Sequence, residues 1–152
     1  MGLKKFFTKL VDNFFESEDS KLARVKNHGG ALELQGFYEG KRVILYGIQL
    51  TKEKICETYG WNPEDVYFSW GEAEDRGGFY LACAILLEVY NKDRAYDLAK
   101  QFQKDFISYL PKSDFEELFN IQIWFNNRAS PNFRKKPIDK EGMGEECTPD
   151  DD

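Results

Sequence analysis

The segment Phe79-Tyr80-Leu81-Ala82-Cys83-Ala84-Ile85-Leu86-Leu87 constrains the fold more than any other, because it has almost no polar side. A helix that is apolar all round has to be buried. Asn91 then offers a cap for a second helix over Lys92–Tyr109. Its apolar residues Ala95, Leu98, Ala99, Phe102, Phe106 and Leu110 share one face. Pro111 stops it. The two segments predict a helical hairpin over Phe79–Leu110 with a common buried seam. Each large side chain in that seam stabilises by roughly 1.5–3 kcal/mol when fully buried.

Something must cover the hairpin, and the preceding residues supply strands. Leu32-Glu33-Leu34-Gln35 alternates with period two from about Ala31. Glu39-Gly40 predicts a tight turn, Arg42–Tyr46 a second strand, and Ile48–Leu50 a short third one. Thr51 and Gly60 bracket a short helix, Lys52–Tyr59. After the turn at Asn62-Pro63, Val66–Trp70 reads as a further strand. Gly71–Gly78 is then a loop ahead of the apolar helix. Ser113-Asp114-Phe115-Glu116 has the form of a capping box and predicts a last helix from about residue 114. Beyond it Phe119, Ile121, Ile123 and Phe125 alternate like a strand, while Phe115, Leu118, Gln122 and Phe125 keep helical spacing. Helix is the reading taken.

The expected fold is therefore α+β: a small antiparallel sheet packed on an αα-hairpin. Two appendages flank it. Leu3, Phe6, Phe7, Leu10, Val11, Phe14 and Phe15 form one stripe of an amphipathic helix over residues 3–15. Glu16–Ser20 reads as a polar link and Asn27-His28-Gly29-Gly30 as a break. From Ala129 the chain is rich in Pro, Gly and charge, the composition of a flexible acidic tail. The layout is thus 1–30 helix and linker, 31–128 globular domain, 129–152 tail.

The net charge is −6, which opposes tight binding to a nucleic-acid backbone. Three cysteines, Cys56, Cys83 and Cys147, are widely spaced and form no C-x-x-C pair. That pattern points to a reducing, cytoplasmic setting rather than a disulfide framework. No apolar run reaches the length of a membrane span.

Phe68-Ser69-Trp70-Gly71, then Gly77-Gly78-Phe79-Tyr80-Leu81-Ala82-Cys83-Ala84-Ile85-Leu86, resembles a family of small uncharacterised bacterial and phage domains. That family has an aromatic-x-Trp-Gly, a Gly-rich loop and a Leu-Ala-x-Ala-Ile-Leu helix opening. Tyr38-Glu39-Gly40, Phe102–Phe106 and Leu110-Pro111 add to the likeness, which spans about residues 37–125. The loop departs from it, being Glu72-Ala73-Glu74-Asp75-Arg76 where relatives carry glycine and small residues. The resemblance implies the fold and no activity, cofactor or partner.

Two candidate sites follow. Trp70, Glu72, Glu74, Arg76, Gly77 and Gly78 form a loop ahead of a helix N-terminus, where backbone N–H groups can cradle an anion or carboxylates a hard cation. The three acids oppose a polyphosphate, and a Walker Lys-Ser/Thr pair is missing. Acids at a helix start and glycines at a tight turn also explain the same residues without a ligand. The second candidate is the N-terminal stripe, with Phe6, Phe7, Leu10 and Phe14 as partner-binding residues. Its own domain, a second copy or a partner's groove can cover it. A membrane surface suits Lys4, Lys5 and Lys9 but not the acidic body. His28 has no nucleophile placed beside it by sequence, and Cys83 lies in the most apolar helix. The expectation is a non-enzymatic interaction or accessory module, without a cofactor, that binds a protein or its own copy and no nucleic acid. The alternative is a small-ligand or divalent-metal-binding domain, enzymatic or not, centred on Trp70–Gly78.

Overall fold

The computed structural model describes residues 16–129. The expected N-terminal helix, with Phe6, Phe7, Leu10 and Phe14, and the expected acidic tail lie outside those residues.

Of the described residues, 16–119 form one unit. It contains α1 (Glu18–Asn27), β1 (Ala31–Phe37), β2 (Arg42–Leu45), β3 (Ile48–Gln49), α2 (Lys52–Tyr59), α3 (Arg76–Leu87) and α4 (Lys92–Asp105). Strand β4 (Phe115–Asn120) closes it, and short 3₁₀ turns lie at Pro63–Asp65 and Ile107–Tyr109. The architecture is α+β with a four-stranded antiparallel sheet in the order β3-β2-β1-β4. The second unit starts at Asn120 and contains α5 (Ile121–Ala129). Its start is capped by Asn120, whose Oδ1 accepts the Ile123 N–H at 2.8 Å.

The hairpin forms as its pattern requires. Leu81, Ala82, Cys83, Leu86, Ala95, Ala99 and Phe102 are fully buried. Asn91 caps α4 by accepting the Arg94 N–H at 2.9 Å. Helix α4 stops at Asp105, earlier than expected, and a 3₁₀ turn carries the chain to Pro111. On the sheet, Leu32 and Leu34 of β1 and Val43 and Leu45 of β2 point into the core. Leu34 pairs with Leu45, and Ile44 with Gln49. The β2–β3 turn is two residues, Tyr46-Gly47, both with positive φ (54° and 79°). That geometry matches the right-handed strand twist. Tyr46 offsets its unfavourable φ by stacking on His28, ring centroids 4.1 Å apart, and donating its hydroxyl to Ala31 O.

Several local expectations are overturned by long-range contacts. Residues 17–20 are not a link: Ser17 caps α1 by accepting the Ser20 N–H at 3.2 Å. Lys21 on that helix is buried and donates to Leu87 O at 2.6 Å and Tyr90 O at 3.2 Å, so α1 is fastened to the end of α3. Val66–Trp70 is extended but pairs with no strand among the described residues. The capping box at Ser113 starts no helix. Asp114 Oδ1 accepts the Tyr38 N–H at 2.7 Å, and Phe115–Asn120 is strand β4, with helix only from Ile121. Gly36 explains this: a Cβ there would lie 2.0 Å from Phe115 Cε2. The bare backbone of β1 is the slot that receives the Phe115 ring. Cys56 on α2 is buried.

Candidate functional site

The predicted loop site proves to be fastened down. Trp70 is 3 % exposed and donates its indole N–H to Ser113 O at 3.2 Å. Its ring meets Phe115 edge-on at 5.1 Å. Glu72 pairs with Lys112 at 2.7 Å at the surface. Glu74 is exposed. Asp75, the third acid of the loop, holds it in place: it accepts the Tyr67 hydroxyl at 2.9 Å and the Ser69 hydroxyl. The Ser69 bond, with help from Tyr67, holds its carboxyl below the usual aspartate range. Buried Gln103 donates to Asp75 O at 2.7 Å.

Arg76, Gly77 and Gly78 are not loop residues, because α3 starts at Arg76. The glycines serve close approach rather than a turn. A Cβ on Gly77 would lie 2.5 Å from Ser69 Oγ, and one on Gly78 2.6 Å from Gln103 Nε2. Among the described residues no group of three His, Cys, Asp or Glu side chains is placed to hold a metal ion. Cys83 is fully buried, and burial pushes its thiol up to about 12. Burial raises the Cys56 thiol too. Neither presents a thiolate at neutral pH.

Beside the loop lies a feature that sequence reading missed. Helix α2 ends on Gly60 in the left-handed conformation, and the N–H groups of Gly60 and Trp61 both reach Cys56 O. This end delivers Tyr59 and Trp61 to the surface together, stacked at 4.8 Å and 23°. The Tyr59 hydroxyl donates to Lys92 O at 2.7 Å, and burial holds that phenol protonated well above its ordinary range. Phe79 and Tyr80 come from α3 and Tyr96 from α4. Trp61 lies 5.5 Å from Tyr80 and 6.3 Å from Tyr96, and Phe79 meets Tyr96 at 5.7 Å and 90°. Tyr96 is 49 % exposed. Arg76 borders the group, its Nε donating to Tyr80 OH at 3.2 Å. Trp61, Asn62, Asp65, Arg76, Phe79 and Tyr96 line a cleft of about 600 Å³. The cluster escapes a periodicity reading because three separate helices build it. One signal was available: Tyr96 stands off the apolar face of α4 that Leu98, Ala99 and Phe102 define.

A protein-family model for a family of unknown function, DUF6166, matches residues 35–127. The chain belongs to this family. The match spans most of the sheet, the helical hairpin and most of α5, and so covers the loop and the aromatic cleft. It agrees with the resemblance read over residues 37–125 to an uncharacterised domain family. No curated protein and no solved structure matches the chain. Any role for DUF6166 residues in this chain therefore has to be argued from its own geometry. Among the described residues no helix is long and apolar enough to cross a membrane.

Proposed function

We propose that this DUF6166 protein is a non-enzymatic interaction module that engages a protein partner through the aromatic face around Trp61 and Tyr96. The observation that carries the reading is that face itself: rings from α2, α3 and α4 held in fixed mutual geometry, partly exposed, with Arg76 at the border. Tyr, Trp and Arg dominate binding hot spots, and Tyr and Trp bury much area for few rotatable bonds. Fixed rings also lower the ordering cost of binding. The N-terminal stripe of Phe6, Phe7, Leu10 and Phe14 belongs to the same proposal as a second contact. The neutral buried thiols of Cys56 and Cys83 support a reducing, cytoplasmic setting.

The competing ligand or metal reading at Trp70–Gly78 has less support. Trp70 is packed, Glu72 is paired, and Asp75 is occupied by Ser69 and Tyr67.

The test is comparative capture with the full chain. Wild type, Tyr96→Ala, Trp61→Ala and the pair Phe7→Ser with Leu10→Ser are used as bait side by side. A partner held by wild type and lost from Tyr96→Ala, with the fold intact, supports the reading. Equal retention by both aromatic variants contradicts it.

A further inference from the structure

The described residues begin at Glu16, and that end of the chain lies on a groove. Ser17, the cap of α1, is extended at φ −68° and ψ 155°, so the chain before it does not prolong the helix axis. Glu16 is held by an ion pair with Arg24 of α1. Both residues line a groove of about 320 Å³ that the β2–β3 hairpin forms with α2 and α3. Leu45, Ile48, Leu50, Ile55 and Ala84 supply its apolar lining, and Tyr46, Gln49 and Thr51 complete it uncharged. The four charged residues of the lining pair with one another: Glu16 with Arg24, and Lys54 with Glu88 at 2.5 Å. Buried Lys21 stands beside these four but turns its ammonium onto Leu87 O and Tyr90 O. Each charge on the groove is thus already answered by an opposite one. What the groove offers is an apolar floor with a neutralised rim, which suits uncharged apolar side chains.

We propose that Phe15 and Val11 of this chain's own N-terminal segment fill the groove and fasten that segment to the domain. Phe15 is bonded to Glu16, so the segment leaves directly from the groove rim. The spacing over residues 3–15 predicts a helix, on which Val11 and Phe15, four apart, stand one above the other. A cavity of about 150 Å³ takes one benzene ring, so a groove of about 320 Å³ has room for the Phe15 ring with the branched Val11 beside it. The apolar stripe covers roughly half the helix circumference, with Val11 and Phe15 on one flank and Phe6 and Leu10 on the other. One flank seats on the domain while the other stays open to a partner. The inference concerns only where the segment attaches, and it does not depend on the aromatic face around Trp61 binding anything.

The test is NMR of the full-length protein with its Ala, Ile, Leu and Val methyl groups and Phe rings labelled. Through-space contacts are expected from the Phe15 ring to the Ile55 and Ala84 methyls, and from the Val11 methyls to Ile48. Phe15→Ser is expected to move the Ile55 and Ala84 methyl signals by removing the ring beside them, and Phe6→Ser to leave them in place. The Trp70 indole signal, fixed on Ser113 O, reports an intact domain in each variant. A sample mixing labelled and unlabelled protein separates contacts within one chain from contacts between copies, and contacts within one chain are the predicted result. Contacts only between copies would make a second chain the occupant and overturn the assignment. So would the absence of contacts from Phe15 and Val11, methyl signals indifferent to Phe15→Ser, or an equal response to Phe6→Ser. Partner capture that depends on Tyr96 decides the interaction-module reading independently of all these outcomes.

Discussion

At the scale of single residues, Gly36 and Asp75 do the most to fix the structure. The Phe115 ring occupies the space a side chain at position 36 would need. Gly36→Ala is expected to destabilise by about 1–3 kcal/mol, the usual penalty for overpacking. A lower urea midpoint at unchanged slope would show it. An unchanged midpoint would mean that β4 does not sit against β1 as described. Asp75 makes a pH-dependent contribution. Its folded pKa is depressed, chiefly by the Ser69 hydrogen bond. The stability it adds is complete above the unfolded carboxyl value of about 3.9 and is lost as pH falls through the lower folded value. Asp75→Ala should cost about 1–2 kcal/mol near neutral pH. The gap between variant and wild type should narrow below about pH 4. A gap independent of pH would place the effect elsewhere.

At the scale of elements, the contrast between α3 and β4 shows what the sequence makes legible. The hairpin over Phe79–Leu110 is written locally, since Asn91, Pro111 and the spacing of Leu98, Ala99 and Phe102 lie inside the segments they define. Strand β4 is not. Ser113-Asp114-Phe115-Glu116 carries a sound helix-start signal, but Asp114 is taken by the Tyr38 N–H and Phe115 by the slot at Gly36. Both partners are remote in sequence, so no local pattern contains them. Helix α1 was missed for a similar reason. Its anchor is the buried Lys21 ammonium reaching Leu87 O and Tyr90 O. Burial lowers the Lys21 pKa, so folding carries a charge penalty at neutral pH that is relieved as pH rises through the depressed folded value toward the unfolded value of about 10.4. Relative to Lys21→Met, wild type should therefore gain stability across that alkaline window. Parallel stability curves for the two proteins would contradict the buried placement.

At the scale of the whole molecule, the fold was legible and the site was not. The sheet-on-hairpin architecture follows from periodicity and turn chemistry, and Leu86 and Phe102 are both fully buried as the hairpin requires. The loop Trp70–Gly78 has the sequence of a site because glycines and acids precede a helix. In the folded chain those glycines admit Ser69, Tyr67 and Gln103, and Asp75 holds the loop closed. The aromatic face depends on Tyr59, Trp61, Phe79 and Tyr96 meeting across three helices, which only the packing decides. Because Tyr96 is half exposed but touches Trp61 and Phe79, Tyr96→Ala should cost about 1–2 kcal/mol of stability, leaving the fold intact, while weakening partner binding by about 2 kcal/mol. A matched thermal melt and binding isotherm would show both.

The most direct measurement of that face is photo-crosslinking from a benzoylphenylalanine placed at position 96. The same group at position 118 is the comparison, because Leu118 is 71 % exposed on β4 and away from the cleft lining. A defined partner polypeptide crosslinked from position 96 and not from 118 is the predicted result. Crosslinks from 118 with none from 96 would contradict the account.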